Sequence, residues 1–237
     1  MTGLANTDGI TVANGVITLT KANLNGENVS VTEGEGYTPA IGDDVKDIPY
    51  TEPTVLNSGE QITASGIYVL DENFRGTVEI ASTAKNVKII GADGKTYSAL
   101  SIDASNVDSI NLWIENLNVS TTSTANVIKF GSGDNTLIVN GENTLARTSG
   151  GTNALVHIGS GNLNIVGDGA LTASIGGSTA TGAVIGLNNN QKEAVSTINI
   201  GGGVTIKATN NGLVSAIGVG GGQTATLEAI TIGGRQK

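Results

Sequence analysis

From residue 61 onward, short runs of Val, Ile, Leu and Thr are separated by Gly, Asn, Ser and Asp. Such punctuation marks turns, and no stretch sustains the apolar period of about 3.6 residues that an amphipathic helix needs. Within the runs the alternation is of period two. Ile110, Leu112 and Ile114 alternate with Asn111, Trp113 and Glu115, and Leu163 and Ile165 with Asn162 and Asn164. That spacing predicts strands with aliphatic side chains on one face and polar ones on the other. A longer period is superimposed, and it predicts three columns of stacked strands. Tyr68, Leu100, Val127, Leu155, Val184 and Val214 form one column. Val78, Ile110, Leu137, Leu163, Ile198 and Leu227 form the second, and Val87, Leu117, Leu145, Leu171 and Val204 the third. Successive members lie 26 to 35 residues apart.

Three short strands per repeat describe a coil in which each strand pairs in parallel with its equivalent one turn away. The predicted fold is all-β: a parallel β-helix of about six three-strand rungs, preceded by a small β-hairpin docking module. A two-sheet sandwich is the competing arrangement for short strands with Gly turns. Composition favours the coil. Gly supplies 35 of 237 residues, and Asn140-Gly141, Gly150-Gly151, Asp168-Gly169, Gly176-Gly177 and Gly201-Gly202-Gly203 all fall between column strands, where corners need backbone freedom. Only seven residues are aromatic, as suits a narrow interior filled by Val, Ile, Leu and Ala. The fragments Thr181-Gly-Ala-Val-Ile-Gly186 and Val214-Ser-Ala-Ile-Gly218 resemble the degenerate repeats of parallel β-helix (pectin-lyase-like) proteins of bacterial surfaces and of phage fibre and decoration proteins. The resemblance spans roughly residues 60–234 and implies a fold more than an activity.

The front of the chain differs. Ile10-Thr-Val-Ala-Asn14-Gly15-Val-Ile-Thr-Leu19 predicts a hairpin turning at Asn-Gly, with Ile10, Val12, Val16, Ile17 and Leu19 as its docking side chains. All three prolines, Pro39, Pro49 and Pro53, mark an extended connector. The predicted division is a docking module at 1–38, a linker at 39–58 and the β-helix at 59–237. So small a module holds little core of its own and is expected to dock on the first rung, on sister chains or on a larger structure. Charge follows the same boundary. Nine acidic residues against Lys21 and Lys46 give the first 60 residues −7 of the total −9. An acidic chain without a basic stripe is unsuited to a phosphate backbone, so nucleic acid is not an expected partner. No apolar run approaches the roughly 18 residues of a membrane-spanning helix. Residues Met1 to Asp8 lack the basic start and apolar core of a secretory signal. At the other end, Ile232-Gly-Gly-Arg-Gln-Lys237 leaves a strand edge to be blunted by its basic residues or covered by another chain.

Candidate chemistry is sparse. His157 is the only histidine and is expected to point outward from its strand, which leaves no His pair for a metal and no triad. Asp103, Asp108, Glu115, Asp134, Glu142 and Asp168 are the carboxylates of the body, but its only Asp-Asp pair, Asp43-Asp44, lies in the connector, and Arg75, Arg147 and Arg235 fall in different turns. Gly91-Ala-Asp-Gly94-Lys95-Thr96 lacks the spacing and following helix of a phosphate loop. No catalytic residue, metal site or cofactor is therefore predicted. The candidate binding residues are Trp113, which alternation points out of the coil, with Glu115 and Ile138 on the same face. A front segment folded back as a lid, a protein contact and a sugar each account for an outward Trp.

These readings predict a non-enzymatic structural or decoration protein, anchored through residues 1–60 as a homo-oligomer or in a larger assembly. The layout resembles phage head-fibre and capsid-decoration proteins, which implies a virion surface assembled in a host cytoplasm. A carbohydrate-binding module of a bacterial cell surface, with a surface polysaccharide as partner, is the second expectation. A polysaccharide lyase or hydrolase is the third.

Overall fold

The computed structural model describes residues 11–13, 16–18, 52–192, 195–222 and 226–233. Near the front, β1 (Thr11–Ala13) and β2 (Val16–Thr18) pair antiparallel, Val12 opposite Ile17 and Ala13 opposite Val16. The predicted turn Asn14-Gly15, Ile10, Leu19 and most of the expected linker lie outside the described residues.

Every other strand pairing in the described chain is parallel. The chain first winds in turns of two strands: β3 (Thr54–Leu56) and β4 (Gln61–Ile62), then β5 (Gly66–Leu70) and β6 (Gly76–Ile80), then β7 (Asn86–Ile90) and β8 (Leu100–Ala104). Three-strand turns follow: β9 (Asn111–Glu115), β10 (Asn118–Thr121) and β11 (Ile128–Phe130), then β12 (Gly133–Asn140), β13 (Glu142–Arg147) and β14 (Val156–His157). Two more comprise β15 (Gly161–Gly167), β16 (Ala170–Ile175) and β17 (Ile185–Gly186), then β18 (Val195–Ile200), β19 (Thr205–Asn210) and β20 (Ile217–Gly218). The last described strand is β21 (Thr226–Ile232). First strands stack into an eight-stranded sheet, from β3 to β21, and a seven-stranded sheet runs from β4 to β20. The four-stranded sheet β10-β13-β16-β19 completes the later turns. The protein is all-β, and its stacked parallel sheets are those of a parallel β-helix.

The long period was legible only in part. Four described turns carry three strands, not about six, because the third sheet is only foreshadowed by an isolated bridge from Tyr97 to Val119. Turns widen along the coil: Thr54 pairs with Tyr68, 14 residues on, whereas Gly161 pairs with Ser196, 35 residues on. A fixed period run backwards therefore misplaces the first members of all three columns. Tyr68 and Val87 both belong to the eight-stranded sheet, and Val78 lies in the seven-stranded sheet beside Ile102. The coil also begins earlier than residue 59, since β3 already pairs with β5 through Thr54, Val55 and Leu56.

Period-two alternation holds. Leu112, Ile114, Leu137, Val139, Leu163, Ile165 and Ile198 point into the coil and are buried completely, each burial being worth about 1.5–3 kcal/mol over exposure. Corners follow from local chemistry. Asn116 adopts φ 52° between β9 and β10, and in the next turn Gly141 takes φ 60°. A Cβ at Gly141 would lie 2.4 Å from the Asn116 amide oxygen, so a larger residue there must displace that side chain as well as adopt the left-handed conformation.

Candidate functional site

The eight-stranded sheet brings the predicted binding residues together. Trp113 on β9 pairs in register with Ile138 on β12, and Glu115 pairs with Asn140 two positions along. Both apolar side chains leave the core, flanked by inward Leu112 and Ile114 and by Leu137 and Val139. They are not open to solvent, however: Trp113 keeps 6% of its surface exposed and Ile138 5%. Glu115 is half-buried and forms an ion pair of 2.5 Å with Lys88, the residue opposite Trp113 on β7. The Trp113 face is thus shut in, and its neighbouring carboxylate already has a cation. Of the predicted docking residues, Val12, Val16 and Ile17 lie in the β1–β2 pair.

The same sheet carries a polar row on its outer face. Asn86, Asn111, Thr136, Asn164 and Asn199 follow one another in register. Amides bridge within it: Asn111 Nδ2 donates to Asn86 Oδ1 at 2.9 Å, and Asn199 Nδ2 to Asn164 Oδ1 at 3.0 Å. A shorter row beside it joins Asn162 Nδ2 to Asp134 Oδ1 and the Thr197 hydroxyl to Asn162 Oδ1.

Two further candidates, Asp103 and His157, sit on the outer face of the seven-stranded sheet, where Glu79, Asp103, Lys129 and His157 are consecutive in register, whereas Asp134 and Glu142 lie on β12 and β13 and Asp108 and Asp168 lie in corners. Burial works against the Asp103 charge, but hydrogen bonds from the Ser105 hydroxyl and backbone N–H, with Lys129 Nζ at 3.2 Å, outweigh it and hold the carboxyl below its ordinary value. His157 leaves the core as expected, yet only 7% of it is exposed, because Gln191 Oε1 covers Nε2 at 2.9 Å. Its Nδ1 is buried without a hydrogen-bond partner. Burial pushes its pKa down, the bond to Gln191 opposing that, so at neutral pH the ring is uncharged. Among the described residues no three of His, Asp and Glu gather into a metal-binding group.

Three inward polar side chains escaped sequence reasoning. Asn135 and Asn143 are each 2% exposed. Asn143 Oδ1 accepts from the Leu117 N–H at 2.9 Å while Nδ2 donates to the Asn140 carbonyl at 2.8 Å, and Asn135 Oδ1 accepts from the Ile110 N–H. A signal existed in the repeated Asn135-Thr-Leu137 and Asn143-Thr-Leu145, where Asn sits two residues before an inward Leu. Arg147 is 1% exposed, with its guanidinium donating to the carbonyls of Asn153 (2.7 Å), Ala125 (2.6 Å) and Ala154 (3.3 Å). The group assembled there is a corner brace rather than an outward-facing base, and burial lowers its pKa.

In comparison with known proteins, the chain matches no family model, no curated protein and no solved structure. What fold and site define is a class: an all-β protein of stacked parallel sheets whose outer-face polar groups are largely bonded to one another.

Proposed function

We propose that the protein is a non-enzymatic structural protein, held in a larger assembly through its acidic front segment and displaying a stiff β-coil. The observation that carries this reading is the unbroken parallel pairing from β3 to β21, a continuous rod that begins within a few residues of the front segment. Support comes from the outer face, where the side chains best able to do chemistry are occupied by neighbours: Glu115 by Lys88, Asp103 by Ser105 and Lys129, His157 by Gln191. The finer reading is a pectin-lyase-like coil serving as a phage head-fibre or capsid-decoration component, assembled in a host cytoplasm and exposed on the virion. Its docking surface would be the β1–β2 pair.

The test compares the native mass of the full chain with that of residues 52–237, with circular dichroism confirming that the coil persists. The full chain is expected to contain more copies per particle than the truncated one. The same number of copies per particle at every concentration would overturn the reading. A second reading, a carbohydrate-binding module of a bacterial surface, draws on the outward Asn and Thr row, whose amides and hydroxyls suit a polyhydroxyl ligand. It predicts glycan-array binding that is lost in Asn111→Ala and Asn164→Ala variants.

A further inference from the structure

The outer face of the eight-stranded sheet is not polar throughout. Beside the Asn and Thr row runs another in register, Ile67, Lys88, Trp113, Ile138 and Val166. Next to it stand Val55, Val69 and Ile90. Apart from Lys88 every member of these two rows is apolar, and none belongs to the interior core. Burial across the face is uneven. Val55, on the first strand, is 56% exposed, whereas Trp113 and Ile138 are almost fully covered. Neighbours within a sheet stand beside a side chain, about 4.8 Å away from strand to strand, and not above it. The Lys88–Glu115 ion pair runs alongside the indole in the same way, so the outward side of Trp113 calls for a further layer. Strands β3 to β21 all lie within the stacked sheets, and among the described strands only β1 and β2 lie outside them.

We infer that the β1–β2 pair docks over Trp113 and Ile138 of its own chain, as a second layer on the outer face of the eight-stranded sheet. Three arguments select that occupant. First, a two-stranded pair is marginal by itself in water and needs an apolar surface to pack on. In this pair the register sets Val12 opposite Ile17 on one face, with Thr11, Ala13, Val16 and Thr18 on the other. Alternation in the sequence adds Ile10 and Leu19 to the Val12 face. Second, the tether reaches. Residues 19–51, 33 in number, join β2 to the start of the coil, and a relaxed chain of that length spans about 30 Å. Strand β9 is three strands from β3 in the same sheet, about 14 Å. Third, a covalently tethered pair meets its own coil at an effective concentration on the order of millimolar, ahead of any other copy. The opposite face of the pair stays free for an assembly, so the contact would join the proposed anchor rigidly to the rod. It stands whether or not that anchoring reading holds.

Trp113 is the only tryptophan, so intrinsic fluorescence reads this contact directly. Emission maximum and acrylamide quenching are measured on the full chain, on Val12→Asp with Ile17→Asp, and on Thr11→Asp with Thr18→Asp. The last variant places the same charges on the opposite face of the pair. Circular dichroism and thermal melting check the coil in each. The wild type is expected to emit at short wavelength and to resist quenching. The Val12 and Ile17 variant is expected to emit at longer wavelength, with a quenching constant raised severalfold and the coil intact. The Thr11 and Thr18 variant is expected to match the wild type. A Val12 and Ile17 variant as protected as the wild type would overturn the inference, and so would equal loss of protection in both variants. Protection that grows with protein concentration would also overturn it, by marking a second copy as the cover. These readouts are taken on dilute chain and do not depend on the copy number that tests the anchoring role.

Discussion

Asn143 shows how one buried amide holds a corner of the coil. Its carbonyl oxygen is the acceptor for the Leu117 N–H, and its Nδ2 serves the Asn140 carbonyl, so both ends of the side chain satisfy backbone groups with little access to water. Asn143→Ala leaves both unmet, at a cost of about 1–3 kcal/mol for each unsatisfied buried group. The expected outcome is a lowered urea midpoint with an unchanged m-value. An unshifted midpoint would show that the corner closes on other partners. His157 gives a prediction of a different kind. Its folded pKa lies below the ordinary 6.5, chiefly through burial, so the unfolded chain binds the proton first as pH falls. Stability from this group is fully present above about pH 6.5 and is lost as pH drops from there toward the folded value. Melting temperature measured between pH 8 and pH 5 should therefore fall more steeply for the wild type than for His157→Gln. Parallel slopes would mean that the ring is hydrated and titrates freely.

At the scale of strands and corners, the stack is exacting at some glycines and indifferent at others. Gly186 of β17 has φ 144°, and a Cβ there would sit 1.8 Å from the carbonyl oxygen of Gly218, its register partner. Gly186→Ala is expected to destabilise by at least about 3 kcal/mol, as backbone strain and a clash combine. At Gly201, by contrast, an added Cβ meets nothing within 4 Å, and Gly201→Ala is expected to be neutral or to stabilise by up to about 1 kcal/mol. Thermal unfolding of the two variants side by side checks the contrast. The same elements explain which parts of the fold could be read from sequence. Ile185-Gly186 and Ile217-Gly218 are visible as a repeat because both positions are constrained, one by the core and one by the close approach, and they do stack on each other. The missing third strand in the early turns left no such mark, since a corner and a short strand share the same Gly, Ser and Thr vocabulary and only Tyr97 bridges to the third sheet. Trp113 was legible as outward, with a covering lid among its accounts, but the neighbours beside it in the sheet were not. Alternation fixes which face a side chain takes, and exposure depends on Lys88, Ile138 and other neighbours that periodicity does not encode. Asn143 and Arg147 stayed hidden because a polar residue on the inward phase of a strand reads as a break in the pattern until its backbone partners are known.

For the whole molecule, stability is a sum over turns, each contacting only its neighbours, so ends and middle should not open at the same free energy. Strands β12 and β15 are paired on both sides and carry fully buried aliphatics, whereas β19 to β21 have partners on one side only and less deeply buried inward side chains. Native-state hydrogen exchange in dilute solution should accordingly give the strongest protection to amides of β12 and β15 and progressively less through β18 to β21. Uniform protection from β12 to β21 would show that the coil opens as a single unit instead.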